Sequence, residues 1–255
     1  TRAASLYRRA CAGGIASGCT HLGALLGRGH ADGGVLDAAA LYDRGCAGGD
    51  AVGCARLAWL YARGDGVVRD PDRARRLWDK SCSQGHVAAC RDLAAALVRG
   101  DLLAVDAKRA VSLYDDACGG GDGASCVALG ELHHFGRSVP AHWQRAAGAY
   151  GRACEAAHLR GCVRLGQLLQ GGHGVGRDPQ RALELFARGC EGGDMLGCAS
   201  QGWAVARGIG AERHKQRGVA LLERACDGGE PSGCQKLAFF GILRSAPRDH
   251  SSAPD

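Results

Sequence analysis

The sequence predicts an all-α solenoid, a stack of about seven αα-hairpins, and three regularities predict it. Fourteen cysteines fall into seven pairs with one C-x7-C spacing: Cys11/Cys19, Cys46/Cys54, Cys82/Cys90, Cys118/Cys126, Cys154/Cys162, Cys190/Cys198 and Cys226/Cys234. The first cysteines of successive pairs stand 35 residues apart once and 36 apart thereafter. Around the cysteines, apolar residues recur at helical spacing. A period of this size marks stacked repeats, each unable to bury its apolar face alone. One elongated core therefore replaces the one or two globular domains that 255 residues would otherwise suggest.

Each repeat opens with a first helix, helix A. Eight residues before the first cysteine stand Ala3, Ala38, Ala74, Ala110, Ala146, Ala182 and Gly218; five before it, Leu6, Leu41, Leu77, Leu113, Ala149, Leu185 and Leu221. Four before it stand Tyr7, Tyr42, Trp78, Tyr114, Tyr150, Phe186 and Leu222, and the residue just before the cysteine is always small. Offsets −8, −5, −4, −1 and 0 form one stripe of an amphipathic helix, with the cysteine on its buried side.

Glycine pairs end helix A at Gly13-Gly14, Gly48-Gly49, Gly120-Gly121, Gly192-Gly193 and Gly228-Gly229, as a C-cap demands. Asp50, Asp122 and Asp194 then suit the N-cap of helix B, and His86 and His158 occupy the same slot and are expected to cap it too. Helix B carries the second cysteine in its first turns. Leu22, Leu57, Leu93, Leu129, Leu165 and Leu237 follow three residues later, with Gln201 the exception. Helix B ends near Gly29, Gly64, Gly100, Gly136, Gly172 and Gly208, and Asp70-Pro71 and Asp178-Pro179 place an N-cap and a first-turn proline at the next helix A. The second repeat departs from the pattern with Asp37 where the others carry arginine. The repeats are expected at residues 1–33, 34–69, 70–105, 106–141, 142–177, 178–213 and 214–243. Residues 244–255, which hold proline and serine without periodicity, are expected to form a disordered tail.

Hydrophobic residues at 46% suffice for a core, but aromatics at 5% and 42 glycines mean that close helix approach, not large side chains, must fill it. The formal charge of +6 is far from a nucleic-acid-binding composition. No stretch reaches the ~18 to 20 consecutive apolar residues that span a bilayer. The chain starts at Thr1, without methionine and already inside a helical pattern. It reads as a mature or excised fragment, so a missing leader carries no weight.

Three readings of the cysteines compete. In the first, each pair is a disulfide joining the end of helix A to the start of helix B, positions that an antiparallel hairpin brings side by side. Zinc would want four ligands, usually in closer pairs, and no histidine is phased with the repeat. Reduced thiols buried as small apolar groups are the third. We take the first, which predicts about 2 to 3 kcal/mol per bridge in the chain-entropy model and an oxidising compartment.

The unit A-x2-L-[YWF]-x2-[AGS]-C-x-G-G-x4-C-x2-L-[GA], closed by a loop such as Gly64-Asp65-Gly66-Val67, resembles the Sel1-like repeat, a relative of the tetratricopeptide repeat. Its paired cysteines are similar to those of the disulfide-bridged subfamily typified by the Helicobacter cysteine-rich proteins and a mitochondrial cytochrome oxidase assembly factor. The resemblance runs from residue 1 to about 243. It implies a right-handed α-superhelix with a concave face for a protein or peptide partner; no cofactor and a monomer are expected, and the disulfides lead us to expect a periplasmic or secreted location, with the mitochondrial intermembrane space as the alternative. It also carries two alternatives to a non-enzymatic scaffold: a penicillin-binding or weakly β-lactam-hydrolysing protein, and a metal- or haem-handling assembly factor.

No catalytic set emerges. Serine β-lactamases need S-x-x-K, and no serine here has lysine three residues on: Ser5 has Arg8, Ser112 has Asp115 and Ser200 has Trp203. His133, His134 and His142 are the nearest approach to a metal cluster, but adjacent histidines leave a helix on different faces, so surface or cap roles are favoured. Basic residues recur at −9 (Arg2, Arg73, Arg109, Arg145, Arg181, Arg217) and at −2 (Arg9, Arg44, Lys80, Arg152, Arg188, Arg224), with Asp116 the exception at −2. They could line a groove for anionic ligands. The reading as a solvated stripe, partly neutralised by Asp43, Asp79, Asp115 and Glu223, is favoured. Partner specificity is expected at −10, −6 and −3, the most variable offsets: Asp72, Arg76, Asp79, Lys108, Asp115, Gln144, Gln180, Glu184 and Glu223.

Overall fold

The periodic sequence folds into fourteen α-helices, with no strand among the described residues of the computed structural model, which are 2–27, 35–136 and 138–243, the side chains of 35–37 apart. In chain order they are α1 (Arg2–Ala12), α2 (Ala16–Gly27), α3 (Val35–Ala47), α4 (Ala51–Arg63), α5 (Pro71–Ser83), α6 (Val87–Arg99), α7 (Ala107–Gly119), α8 (Gly123–Phe135), α9 (Trp143–Glu155), α10 (Leu159–Gly171), α11 (Pro179–Glu191), α12 (Met195–Arg207), α13 (Lys215–Asp227) and α14 (Pro231–Ala238). Odd-numbered helices are the A helices and even-numbered ones the B helices. Gly29, the Asp37 side chain and the tail at 244–255 lie outside the described residues.

A three-residue turn joins A to B, and its middle residue is left-handed in each hairpin. Glycine supplies it six times, with φ from 83° at Gly14 to 91° at Gly121, and Ala157 supplies it once at φ 58°. An L side chain there costs about 1 kcal/mol. The reversal brings the paired cysteines together. Cys11–Cys19, Cys46–Cys54, Cys82–Cys90, Cys118–Cys126, Cys154–Cys162, Cys190–Cys198 and Cys226–Cys234 are each bridged, across Cα–Cα distances of 4.4 to 4.8 Å. Seven such bridges point to an oxidising, non-cytoplasmic environment.

Carboxylates satisfy the free N–H groups that open the helices. Asp50 accepts from the Val52 N–H, Asp122 from Ser125, Asp194 from Leu196 and Gly197, and Glu230 from Ser232. At the A helices, Asp70 accepts from Arg73, Asp106 from Arg109 and Asp178 from Arg181, with Pro71 and Pro179 in the first turn. The expectation that His86 and His158 cap helix B is corrected: both stand at the N-cap position, and neither side chain makes a capping hydrogen bond. The His158 side chain packs instead on Gly123 of the preceding hairpin, where an added Cβ would lie 2.6 Å from the His158 Cβ. Helix B closes at Gly64, Gly100, Gly136, Gly172 and Gly208, each a left-handed C-cap.

The A helices pack on the preceding B helices through small residues. Ala74, Trp78, Ala110, Ala146, Tyr150, Ala182, Phe186 and Leu222 are fully buried, each large side chain worth about 1.5 to 3 kcal/mol of transfer energy. The aromatic at −4 packs against a glycine of helix B: a Cβ at Gly130 would sit 2.4 Å from the Tyr150 ring, and one at Gly166 2.7 Å from Phe186. Leucine at −5 is less buried than its stripe suggests, because that offset sits at the edge of the contact. Leu41, Leu77, Leu113, Leu185 and Leu221 are half-buried, and Leu6 is 55% exposed. The last B helix, α14, is eight residues long against thirteen for its neighbour α13. Phe240 and Ile242 then fold back on the core of Cys190, Cys198, Leu222, Cys226 and Leu237.

The chain divides into two compact units, Thr1–Ala117 and Cys118–Asp255. No described helix is long and apolar enough to cross a membrane.

Candidate functional site

The cysteines are the most conspicuous residues of the sequence, and the structure withdraws them from any solvent-facing site. Cys54, Cys126, Cys162 and Cys198, the second members of four pairs, have no exposed surface at all, and no cysteine is free. Thirteen of the fourteen are buried, Cys82 being the exception, and all are bridged, so no thiolate is left to attack or to bind metal.

The polar residues of the A helices fall into those that tie neighbouring repeats together and those left to solvent. At −2, Arg44 donates from Nη2 to the Cys11 carbonyl at 3.2 Å, Lys80 to that of Cys46 at 3.0 Å, Arg188 to that of Cys154 at 3.4 Å and Arg224 to that of Cys190 at 3.4 Å. A cation thus meets the negative end of the previous A helix, where the macrodipole favours it. The basic column at −2, read from sequence as a solvated stripe, is at these four junctions an inter-repeat clamp. Asp116 has no proton to donate to the Cys82 carbonyl.

The −9 column makes a second set of ties. Arg73 reaches Asp43 at 3.6 Å and Arg109 pairs with Asp79, so at these junctions a −9 arginine meets the −3 carboxylate of the preceding A helix. Asp79 also has Arg75 at 3.8 Å. Exposed pairs of this kind are worth about 0 to 1 kcal/mol each.

A third ladder runs along the B helices, and no regularity of the sequence announces it. Trp59 Nε1 donates to Asp92 at 2.8 Å, Arg164 to Glu131 at 3.2 Å, and Gln167 to the Ser200 hydroxyl at 3.5 Å. In all three, the residue five after the second cysteine of one repeat meets the residue two after the second cysteine of the next.

Against these ties, the residues expected at −10 and −6 stand apart. Asp72, Arg76, Lys108, Gln144, Gln180 and Glu184 are exposed, and none makes a hydrogen bond or ion pair with the described residues. Asp79 and Glu223 are half-buried, and Asp115 is exposed. The structure therefore brings Asp79 into a clamp and leaves Asp72, Arg76 and Lys108 on one unit, and Gln144, Gln180 and Glu184 on the other, facing solvent.

An aromatic patch lies on the second unit. His134 stacks on Phe135 at 4.3 Å, lies 4.9 Å from Trp143, and its Nδ1 is 3.3 Å from the Tyr150 hydroxyl; Trp143 in turn lies 4.9 Å from His173. Burial, then the charges of Arg164 and His173, hold the His134 imidazole below its usual pKa, and Glu131 opposes them. Burial pushes the Tyr150 phenol well above its ordinary value. His142 serves as the N-cap of α9 through Nδ1, and His133 is buried. His133, His134 and His142 do not converge, and no group of three metal-ligating side chains occurs among the described residues. Several serines have structural partners: Ser81 donates to the Ala51 carbonyl at 2.6 Å and Ser125 to its helix-capping Asp122 at 2.5 Å.

A family model described as Sel1 repeat matches residues 51–86, 87–122, 123–147, 159–194 and 196–230. No functionally curated protein matches the chain by sequence. Among solved structures, a protective antigen present in uropathogenic Escherichia coli strains, displaying an SLR fold, superposes with a TM-score of 0.81 at 21% identity over 95% of this chain. The present chain spans 53% of that protein. A Sel1 repeat protein from Oxalobacter formigenes superposes with a TM-score of 0.78 at 22% identity, covering 96% of this chain and 72% of the other. Helicobacter pylori cysteine rich protein B is 26% identical over 51% of this chain and 92% of its own, with a TM-score of 0.41.

Proposed function

The chain belongs to the Sel1 repeat family, and from that premise we propose that it is a non-enzymatic scaffold that binds a partner protein or peptide along the solvent-facing, concave side of its A helices. Repeats of this class typically serve protein interaction, each contributing a small and similar contact to an extended ligand. One observation carries the reading. The offsets that tie repeats together are spent, while Asp72, Arg76, Lys108, Gln144, Gln180 and Glu184 are exposed, differ from repeat to repeat and have no partner among the described residues. Side chains that the stack does not need are the ones free to discriminate a ligand. The disulfides support a periplasmic or secreted setting, with the mitochondrial intermembrane space as the alternative.

Photo-crosslinking residues placed at Gln144, Gln180 and Glu184 test it against the same group at Arg56 and Gln235, exposed on B helices. In the native compartment, a discrete adduct is expected from the A-helix positions and not from the controls. Equal labelling from both sets would overturn the assignment of the face. Turnover of a chromogenic β-lactam by the purified chain, abolished by substitutions on this face, would overturn the scaffold reading itself.

A further inference from the structure

The loops that follow the B helices are built to one length, with six residues from the C-cap glycine to the next N-cap at Gly64–Asp70, Gly100–Asp106, Gly172–Asp178 and Gly208–His214. Two residues after the C-cap, Gly174 and Gly210 press on the first turn of the preceding A helix. A Cβ on Gly174 would lie 2.3 Å from the Trp143 carbonyl carbon, and one on Gly210 2.2 Å from the Pro179 oxygen. No side chain fits between loop and helix at that distance. In the third repeat this position is Leu102. There a cavity of about 560 Å³ is lined by Leu102 of the loop and by Pro71, Asp72 and Arg75 of α5.

Its lining combines an apolar surface with one carboxylate that has no partner among the described residues. The buried Leu97, Leu102 and the exposed Val105 line it, together with Pro71, Asp72 and Asp106. Three arginines also border the cavity, and each is occupied. Arg69 donates to the carbonyls of Ala62 at 3.0 Å and Asp101 at 3.2 Å, and Arg75 and Arg109 face Asp79. Asp101 accepts from the Leu102 N–H at 2.9 Å, and Asp106 caps α7 through the Arg109 N–H. The Asp72 carboxylate alone has no partner among the described residues.

We propose that this cavity is a subsite for a basic side chain of the bound partner, an arginine or lysine whose methylenes lie on Leu97, Leu102 and Val105 and whose cationic head meets Asp72. The inference rests on the A-helix reading above, since Asp72 is among its free residues, and it adds the chemistry of one contact. An aliphatic stem carrying a cation is the side chain that covers apolar surface while keeping its charge at a wet carboxylate. A carboxylate or an apolar ligand would leave Asp72 unpaired beside it.

The test uses the purified, fully oxidised chain and the probe N-acetyl-arginine N-methylamide, followed by amide chemical shifts. Its comparators are the glutamate and norleucine analogues. Saturable shifts at Asp72, Leu102 and Val105 are expected from the arginine probe up to about 50 mM, where millimolar ligands saturate. They should weaken about tenfold in Asp72→Asn, equivalent to about 1.4 kcal/mol. Leu102→Gly, which removes a lining side chain, should abolish them. No saturable shift, equal shifts from the glutamate or norleucine analogue, or an unchanged response in Asp72→Asn would each overturn the proposal. Crosslinks from Gln144, Gln180 and Glu184 that persist in Asp72→Asn would leave the A-helix reading standing while this subsite fell.

Discussion

The third hairpin, α5 and α6, and the fifth, α9 and α10, are built from helices of identical length with the same disulfide and the same C-cap glycine, yet three differences fall at their helix ends and loops. The A-to-B turn holds Gly85 in the third and Ala157 in the fifth. The loop after helix B holds Leu102 in the third and Gly174 in the fifth. At offset −2 the next repeat carries Asp116 after the third hairpin and Arg188, which bonds the Cys154 carbonyl, after the fifth. Their interiors differ in identity, with Trp78 and Ser81 against Tyr150 and Ala153, but match in burial, as do Ala74 and Ala146. The repeat thus fixes the burial between its helices and varies where helix ends and loops meet water. A buried mismatch would cost several kcal/mol, whereas a strained turn or an open loop costs about one.

Substitution can erase or exaggerate each difference, and the largest effect is expected at the loop. Gly174→Ala introduces a Cβ against the Trp143 backbone at a left-handed position and should lose about 2 to 4 kcal/mol. Leu102→Ala in the third repeat should lose less than about 1 kcal/mol. Denaturant midpoints with the disulfides intact measure both. Replacing either cysteine pair by serine should cost about 2 to 3 kcal/mol, but the two bridges should differ in their kinetics. Cys82 is the one cysteine of fourteen that is not buried. Under limiting reductant, alkylation and peptide mass mapping should find Cys82 and Cys90 labelled before Cys154 and Cys162, and before Cys46 with Cys54 or Cys118 with Cys126. Cys226, with no later repeat among the described residues, is buried all the same, so a covering arginine is not the sole source of burial; Asp116→Arg tests how far it contributes, by slowing that reduction.

Smaller effects follow. Arg188→Ala should cost about 1 kcal/mol by removing a charge-assisted bond to the Cys154 carbonyl. Ala157→Gly should gain about 1 kcal/mol by relieving its left-handed backbone, and Gly85→Ala should lose about as much. The smallest effect concerns pH. Because burial lowers the His134 pKa in the folded chain, the unfolded chain binds that proton more tightly. The stability contribution is complete above the unfolded value near about 6.5 and is lost as pH falls from there through the lowered folded value. Unfolding midpoints should therefore decline slightly more between neutral and mildly acidic pH in the native chain than in His134→Gln.

The repeating frame was legible because glycine, aspartate and cysteine recur at fixed offsets, and each marks a local event: a turn, a cap or a bridge. The clamps were not. A column of arginines at −2 announces charge, but the acceptor is a backbone carbonyl 33 or 34 residues away, which no side-chain pattern reveals. His86 and His158 misled because the cap slot is defined by backbone position, while the His158 ring is claimed by a neighbouring hairpin. Leu102 was readable in principle, as a missing glycine in a loop that carries glycine at 66, 174 and 210. Its consequence needed the distance between loop and helix. The free residues at −10 and −6 showed themselves as variable positions, and the structure adds that they are not used by the stack.

The polar ladder on the B helices gives the chain a sense of order. Every hairpin presents nearly the same apolar surfaces to its neighbours, so nothing in those surfaces alone would stop the fourth from settling where the sixth belongs, a characteristic failure of repetitive chains. Trp59 with Asp92, Glu131 with Arg164 and Gln167 with Ser200 occupy one pair of positions with three different chemistries. Shuffling the hairpins would set the Glu131 carboxylate against that of Asp92, a like-charge pair. Three of the six junctions thereby carry their own key, and a wrong order that pairs like charges there is penalised.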